Sequence, residues 1–274
     1  MRTPKAWADI LHVIEKQADV ILEILDARDP EGTRPRKVEE LIAEKFPEKK
    51  LFLVLNKQDM VPEDVVNAWS AYYQAQGFIC FHASAAKKEG TNFLLAQILR
   101  YVDHSAPSKI LIVGYPNSGK SSIINAILKE KKTARVSPEA GFTRGIQWLK
   151  IEGFAHLYLL DSPGVVPYDE EESELELALK AAIKTSKIQD PETTFEEIYR
   201  RSGPEKLKQV YDIDFTDSAD FVEKLGRKRG KLLKGGIVEE RAVWLIVIRD
   251  WQRNYIPFYT VPPGYSGPNM PENN

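Results

Sequence analysis

The 274-residue sequence predicts an α/β fold, a mostly parallel sheet with helices on both faces, followed by a smaller all-α region. Three observations predict it. Strand-like runs alternate with helix-like stretches up to about residue 160. Runs such as Leu51-Phe-Leu-Val-Leu55 and Ile110-Leu-Ile-Val113 are apolar throughout, as strands covered on both faces must be. Beyond Pro167 the strand signals stop and only helix-like periodicity continues.

In chain order, Trp7, Ile10, Leu11, Ile14 and Ala18 recur at three-four spacing and predict an amphipathic opening helix. Val20 to Leu25 is the first strand, ending at Asp26, and Leu51 to Leu55 is the second, running into Asn56. Pro62 to Gln76 reads as a helix with proline suitably near its start. Phe78 to His82 is the third strand, and Asn92 to Val102 is a helix after Gly90. Ile110 to Val113 delivers the chain to Gly114, and Lys120 to Leu128 is the helix that follows. Gly145 to Ile151 and Ala155 to Leu160 read as two further strands.

Asp169 to Glu176 carries six acidic residues in eight and marks the change of character. Glu196 to Arg200, Pro204 to Val210, Asp217 to Leu225 and Glu239 to Trp251 are then expected as helices. The tail from Pro262, with Pro263, Gly264, Gly267, Pro268 and Pro271, is expected to be disordered or loosely packed. The chain is accordingly divided into domains 1–168 and 169–274, the second all-α and ending in a flexible tail.

Composition bounds the class. A hydrophobic content of 43% suffices for real cores, and 38 basic against 40 acidic residues leave a net charge of −2 that hides any local patch. The single cysteine, Cys80, excludes an intrachain disulfide and lies in the apolar run Phe78-Ile-Cys-Phe81, where a core thiol is expected. No stretch reaches the roughly 18–20 apolar residues that span a bilayer, and the N-terminus lacks the apolar core of a signal peptide. A soluble, cytoplasmic, monomeric protein is the expectation.

Gly114-Tyr-Pro-Asn-Ser-Gly-Lys-Ser121 has the spacing of a phosphate-binding loop between a strand and a helix. Its glycines let backbone N–H groups close around phosphates at a helix N-terminus. Asn117, Ser118, Gly119, Lys120, Ser121 and Ser122 are the expected contacts. Lys120 would reach the β- and γ-phosphates, and the Ser121 hydroxyl would ligate Mg²⁺. That loop alone does not separate ATP from GTP; Asn56-Lys57-Gln58-Asp59 does. The Asp59 carboxylate can accept from the N1–H and exocyclic amine of guanine, donors that adenine lacks at those positions. Asn56 would pair with the purine edge and tie the two loops together, and the Lys57 stem would lie along the base.

Three further pieces complete a site. Ala83-Ser84-Ala85 resembles the loop that touches guanine O6 through its backbone. Asp161-Ser-Pro-Gly164 ends a strand, so that Asp161 would hold the Mg²⁺ shell and the Gly164 N–H would sense the γ-phosphate. Thr143, in Gly141-Phe-Thr-Arg144, is the candidate switch threonine, with Thr133 its rival. In order along the chain, these motifs resemble the circularly permuted branch of the translation-factor-like P-loop GTPases, with the guanine motif ahead of the phosphate loop. Asp26-Ala-Arg-Asp-Pro30 resembles the DARxP element of the YlqF/RbgA-like ribosome-assembly GTPases.

The resemblance implies GTP hydrolysis with Thr143, Lys120 and Gly164 in the catalytic set and Ser121, Thr143 and Asp161 around Mg²⁺. Val165 and Val166 stand where a water-orienting glutamine would be, so a low intrinsic rate raised by a partner is expected. Asn117 matches an asparagine that ligates K⁺ in related GTPases; a loop-stiffening hydrogen bond is the other role open to it. His12, His82, His104 and His156 are scattered, and none flanks a motif closely enough to serve as the water-positioning group.

Lys224-Leu-Gly-Arg-Lys-Arg-Gly-Lys-Leu-Leu-Lys234 has six basic residues and no acid in eleven positions. Lys224, Arg227, Lys228, Arg229, Lys231 and Lys234 are therefore candidate phosphate contacts on RNA. The stretch resembles the RNA-binding C-terminal domain of the same family, which implies rRNA or a large-subunit precursor as partner. A GTP-binding RNA scaffold without turnover and a non-ribosomal regulatory GTPase are the alternatives.

Overall fold

A computed structural model describes residues 11–102, 105–130, 133–135, 147–151, 157–161 and 172–270. The chain forms two compact units, one of Met1–Asp169 with Thr260–Asn269 and the other built on Glu170–Tyr259. Thr143, Gly164, Val165, Val166, His104, His156 and the rim of the predicted strands at 145–146 and 155–156 lie outside the described residues.

The first unit runs α1 (including residues 11–16), β1 (Val20–Asp26), α2 (Arg36–Lys45), β2 (Lys50–Asn56), α3 (Glu63–Ala75), β3 (Ile79–Ala83), α4 (Thr91–Ile98), β4 (Ser108–Val113), α5 (Lys120–Glu130), β5 (Thr133–Arg135), β6 (Gln147–Ile151) and β7 (Leu157–Asp161). Its seven strands lie in the order β3-β2-β1-β4-β7-β6-β5. The neighbours from β3 through β7 are parallel, and β6 and β5 extend the sheet antiparallel.

All seven residues of β1 are buried, because both faces of the sheet are covered. Val20, Leu22 and Ile24 pack with Leu94, Ile98, Ile123 and Ile127 of α4 and α5. The intervening Ile21 faces the other way, toward Val13, Ile14, Val38 and Ile42. The period-two alternation of a strand thus feeds two cores from one segment. Cys80 is buried in this unit, and burial pushes its thiol up to about 12, as befits a core residue.

Two elements of this unit have no counterpart in the sequence reading. Helix α2 has a narrow apolar face, Val38 and Ile42, amid charged residues. Strand β5 is three residues long, too short to carry a period. The tail also differs from expectation. Thr260–Asn269 belongs to the first unit, where Asn269 Nδ2 donates to Asp64 Oδ1 at 2.7 Å and the Tyr265 hydroxyl donates to the other oxygen of that carboxylate. Hydrogen bonds and a side chain at each anchor outweigh the disorder that proline and glycine suggest.

The second unit contains α6 (Glu174–Leu179), α7 (Pro191–Ser202), α8 (Pro204–Tyr211), α9 (Ser218–Lys228) and α10 (Glu240–Gln252). Four of these overlap expected helices. The fifth, α6, grows out of the acidic run: Ser173 accepts from the Glu176 N–H at 3.2 Å, while Glu176 accepts from the Ser173 N–H at 2.8 Å. This reciprocal cap uses acids at the positive end of the helix. The core of this unit centres on Phe221, stacked on Phe195 at 6.0 Å and tilted against Phe215 at 4.8 Å.

Candidate nucleotide-binding site

The strands β1, β2 and β3 are in register at their C-terminal ends, so that Asp26, Asn56 and Ala83 stand side by side. The chain builds β1, β2 and β3 outward in one direction, then crosses back to place β4 on the opposite side of β1. Loops leaving β1 and β4 therefore diverge, which opens a crevice at the carboxyl ends of the strands. The phosphate loop leaves β4 on one side of that crevice and the guanine motif leaves β2 on the other.

The loop geometry explains its glycines. Gly114 has φ 139, and a Cβ there would stand 2.4 Å from the Ile24 carbonyl oxygen. Gly119 has φ 98, and a Cβ would meet Asn56 Nδ2 at 2.0 Å. Only glycine fits either place. Asn117 is exposed at the loop's outer bend with φ 62. Ser118 is buried, and among the described residues its hydroxyl oxygen has no hydrogen-bond partner. Lys120 begins α5, and its buried ammonium donates to the carbonyls of Gly114 at 2.8 Å and Tyr115 at 2.5 Å. The first turn of α5 contains no acid, so its positive dipole end is not neutralised from within. Ser121 and Ser122 are exposed on that turn. Asp161 ends β7, the strand adjoining β4, as its assigned role requires of the backbone.

Asn56 joins the pieces. Its Nδ2 donates to the Ser118 carbonyl at 2.9 Å, and its Oδ1 accepts from the Ala85 N–H at 3.2 Å. One buried amide thus holds the phosphate loop, the end of β2 and the Ser-Ala loop together, as the sequence reading expected for the first two. Ser84 is buried and supports the turn by accepting from the Lys87 N–H at 3.0 Å.

Asp59 sits exposed in the 3-10 turn Gln58–Met60, after Lys57 at φ 66. Two side chains missed by sequence reasoning hold this turn. The Gln58 amide oxygen accepts from the Nδ1–H of His82 at the end of β3. Burial lowers the His82 pKa, partly opposed by Glu63, so the ring is neutral at physiological pH. Lys57 donates to Asp26 Oδ2 at 2.5 Å, and Arg28 grips the same carboxylate with Nε at 3.0 Å and Nη2 at 2.7 Å. Burial alone would raise the Asp26 pKa; Arg28 and Lys57 overcome it and hold it at about 2. Burial lowers the Lys57 pKa, and Asp26 opposes that shift. Asp26-Ala-Arg28 was visible as a motif, but nothing local in sequence tied it to Lys57.

The six basic candidates in the second unit are all exposed, yet they are not equivalent. Lys224 pairs with Asp220 at 2.8 Å and Arg227 with Glu223 at 2.5 Å, each one helical turn away. Lys228 donates to the carbonyls of Tyr211 and Asp212. Arg229, Lys231 and Lys234 make no ion pair among the described residues. They surround a turn in which Leu232 bridges Val238, and Gly235 and Gly236 take φ 90 and 78. Among the described residues no helix is long and apolar enough to cross a membrane, and no cluster of three metal-ligating side chains occurs.

Residues 109–190 match the family model described as a 50S ribosome-binding GTPase. Nucleolar GTP-binding protein 2 of Saccharomyces cerevisiae is 35% identical over 277 residues, covering 99% of this chain and 56% of the relative. Its Schizosaccharomyces pombe counterpart is 36% identical over 274 residues, covering 98% and 50%. The chain spans about half the length of these curated relatives. Among solved structures it is similar to GNP-bound YlqF from T. maritima, with TM-score 0.64 and 26% identity over 92% of this chain and 94% of that one. The GDP-bound TM YlqF structure gives TM-score 0.65 and 25% identity over 94% and 98%. The relatives' names overturn the cytoplasmic expectation, since those proteins are nucleolar. A lone thiol and the absence of an apolar span are equally compatible with nucleus and cytoplasm, which are both reducing.

Proposed function

Because the chain belongs with the circularly permuted GTPases of the YlqF kind, we propose that it binds GTP and GDP, hydrolyses GTP and acts in assembly of the large ribosomal subunit. The observation that carries the nucleotide reading is the Asn56 side chain, which ties the Ser118 carbonyl to the Ala85 amide across a crevice whose Gly119 has no room for a Cβ. Such a junction brings an exposed guanine-reading carboxylate, Asp59, to the same end of the sheet as a helix N-terminus suited to phosphate.

The residues present fit Mg²⁺. A hydroxyl on the first turn of α5, Ser121, and a carboxylate at the end of the adjoining strand, Asp161, are hard oxygen donors. Mg²⁺ held there would neutralise charge building on the β- and γ-phosphate oxygens. Thr143 completes this set in the proposal, Gly164 senses the γ-phosphate, and Asn117 serves as a K⁺ ligand. With Val165 and Val166 following Gly164, neither side chain can orient water, so turnover is slow until a ribosomal particle or K⁺ supplies the missing stabilisation.

Arg229, Lys231 and Lys234, the three basic residues without local acids, are the proposed centre of rRNA contact, with Lys224, Arg227 and Lys228 flanking it. Hydrolysis of GTP measured with and without large-subunit particles, in K⁺ and in Na⁺, tests the reading. Turnover rising with particles, and tighter cosedimentation in GTP than in GDP, is expected. Equal binding in all nucleotide states refutes control of particle binding by the nucleotide. Absent turnover in every condition leaves a GTP-binding RNA scaffold, a second reading favoured by the two valines.

A further inference from the structure

The C-terminal segment returns to the guanine-recognition end of the sheet. The Thr260 N–H donates to the Arg28 carbonyl at 2.7 Å, and its hydroxyl donates to the same oxygen at 3.3 Å. The Thr260 carbonyl in turn accepts from Trp69 Nε1 of α3 at 2.9 Å. Further on, Tyr265 and Asn269 both donate to the Asp64 carboxylate at the start of α3, and the Asn269 N–H donates to the Tyr265 hydroxyl at 3.3 Å. Two anchors thus fasten Thr260–Asn269, one to α3 alone and one that also reaches the loop after β1.

What Thr260 holds is the backbone of the residue that positions Lys57. Arg28 places two guanidinium nitrogens and its own N–H on the Asp26 carboxylate, and Asp26 binds the Lys57 ammonium. Lys57 belongs to the guanine motif and takes a left-handed conformation at φ 66, one a lysine enters only when its surroundings hold it there. The chain of contacts Thr260, Arg28, Asp26, Lys57 is continuous and lies wholly within the first unit.

We infer that Thr260 and Trp69 are positioning residues for guanine-nucleotide binding, and that the segment Thr260–Asn269 is a working part of that site. The inference rests on the nucleotide reading above. Tail docking orders the Arg28 backbone, which orders Asp26 and Lys57 before the base arrives, so part of the ordering cost of binding is met in advance. Linkage makes the effect reciprocal: whatever the docked tail adds to nucleotide affinity, bound nucleotide adds to tail docking.

The experiment is an equilibrium titration of the full chain with mant-GDP, paired with amide hydrogen exchange of 260–269 with and without GDP. Asp64→Ala removes the outer anchor at a half-buried position, Trp69→Phe removes the donor to Thr260, and a chain ending at Tyr259 removes the segment. Losing one or two hydrogen bonds of ordering is expected to weaken mant-GDP binding about five- to tenfold in Trp69→Phe and the shortened chain, and less in Asp64→Ala. Slower exchange at Thr260 and its neighbours in bound GDP is expected, a readout that a merely structural strap would not move. A wild-type chain that binds mant-GDP with affinity unchanged in all three variants, and tail exchange indifferent to GDP, overturns the inference alone. Wild-type protein that binds no mant-GDP refutes the nucleotide reading, and this inference with it.

Discussion

Glu23 occupies the middle of β1 with no exposed surface, and among the described residues neither carboxyl oxygen has a hydrogen-bond partner. Burial, then the nearby Glu39 carboxylate, push its pKa well up. Arg34, whose charge opposes that shift, is committed to Glu39 through bonds of 2.5 and 2.6 Å. In the folded chain burial favours the protonated form of Glu23; in the unfolded chain the carboxyl releases its proton above roughly pH 4.3. Folding is therefore penalised increasingly as pH rises from that value toward the folded pKa, and the penalty is absent below it. Glu23→Gln removes the titration, so it should stabilise the protein at pH 7 and do little at pH 4, as read from urea denaturation at both values. Gly119 makes the complementary case, in which nothing titrates and space decides. Gly119→Ala should weaken mant-GDP binding at least about tenfold, because the new methyl displaces the Asn56 amide that joins the loops. Residues such as Asn56 and Gly119 were legible from sequence because their roles follow from a short local spacing. The Gln58–His82 and Lys57–Asp26 pairs were not, since their members lie 24 and 31 positions apart and only strand register brings them together.

Between α9 and α10 the packing is set by a missing side chain. Gly226 lies within the last turn of α9, where a Cβ would stand 2.3 Å from a Val238 methyl and 3.2 Å from one of Val243. Gly226→Ala should therefore cost stability through overpacking, by about 1–3 kcal/mol, despite alanine's better helix propensity. Thermal unfolding monitored by circular dichroism checks it. The turn that follows carries Arg229, Lys231 and Lys234. Replacing all three by glutamine should reduce the slope of log K against log salt for RNA by about two to three, whereas replacing Lys224 and Arg227, already paired on α9, should change it less. Alternation of strands and helices was readable because buried strands and amphipathic helices have different periods. Helix α6 was not, because a run of acids looks like a linker until Ser173 and Glu176 are seen to cap each other. The six basic residues read alike in sequence, and only helix geometry shows which of them already face an acid.

At the scale of the molecule, each unit has its own apolar core. The aromatic cluster about Phe221, with Trp251 on Phe258 at 4.7 Å, draws only on residues from Ala178 to Phe258. A fragment covering 172–259 should accordingly fold alone and melt cooperatively; a gradual, non-cooperative melt would show that it needs the rest of the chain. The tail escaped sequence analysis for a related reason. Proline- and glycine-rich composition describes a docked segment as well as a loose one, and the groups that decide, Asp64 and Arg28, lie 201 and 232 positions away from their partners.

The return of Thr260 to the first unit has a mechanical corollary. A terminal domain hangs from its neighbour by a single strand of chain, but here the chain leaves the first unit at Asp169 and re-enters it at Thr260, so Glu170–Tyr259 is an insert joined at both ends. A particle that grips the helical unit and pulls would load both seams together, the first leading from the strand that ends at the proposed metal ligand and the second from the residue that braces the base-reading loop. In the proposed reading, an insert of this kind is joined by its two chain ends to both halves of the nucleotide site.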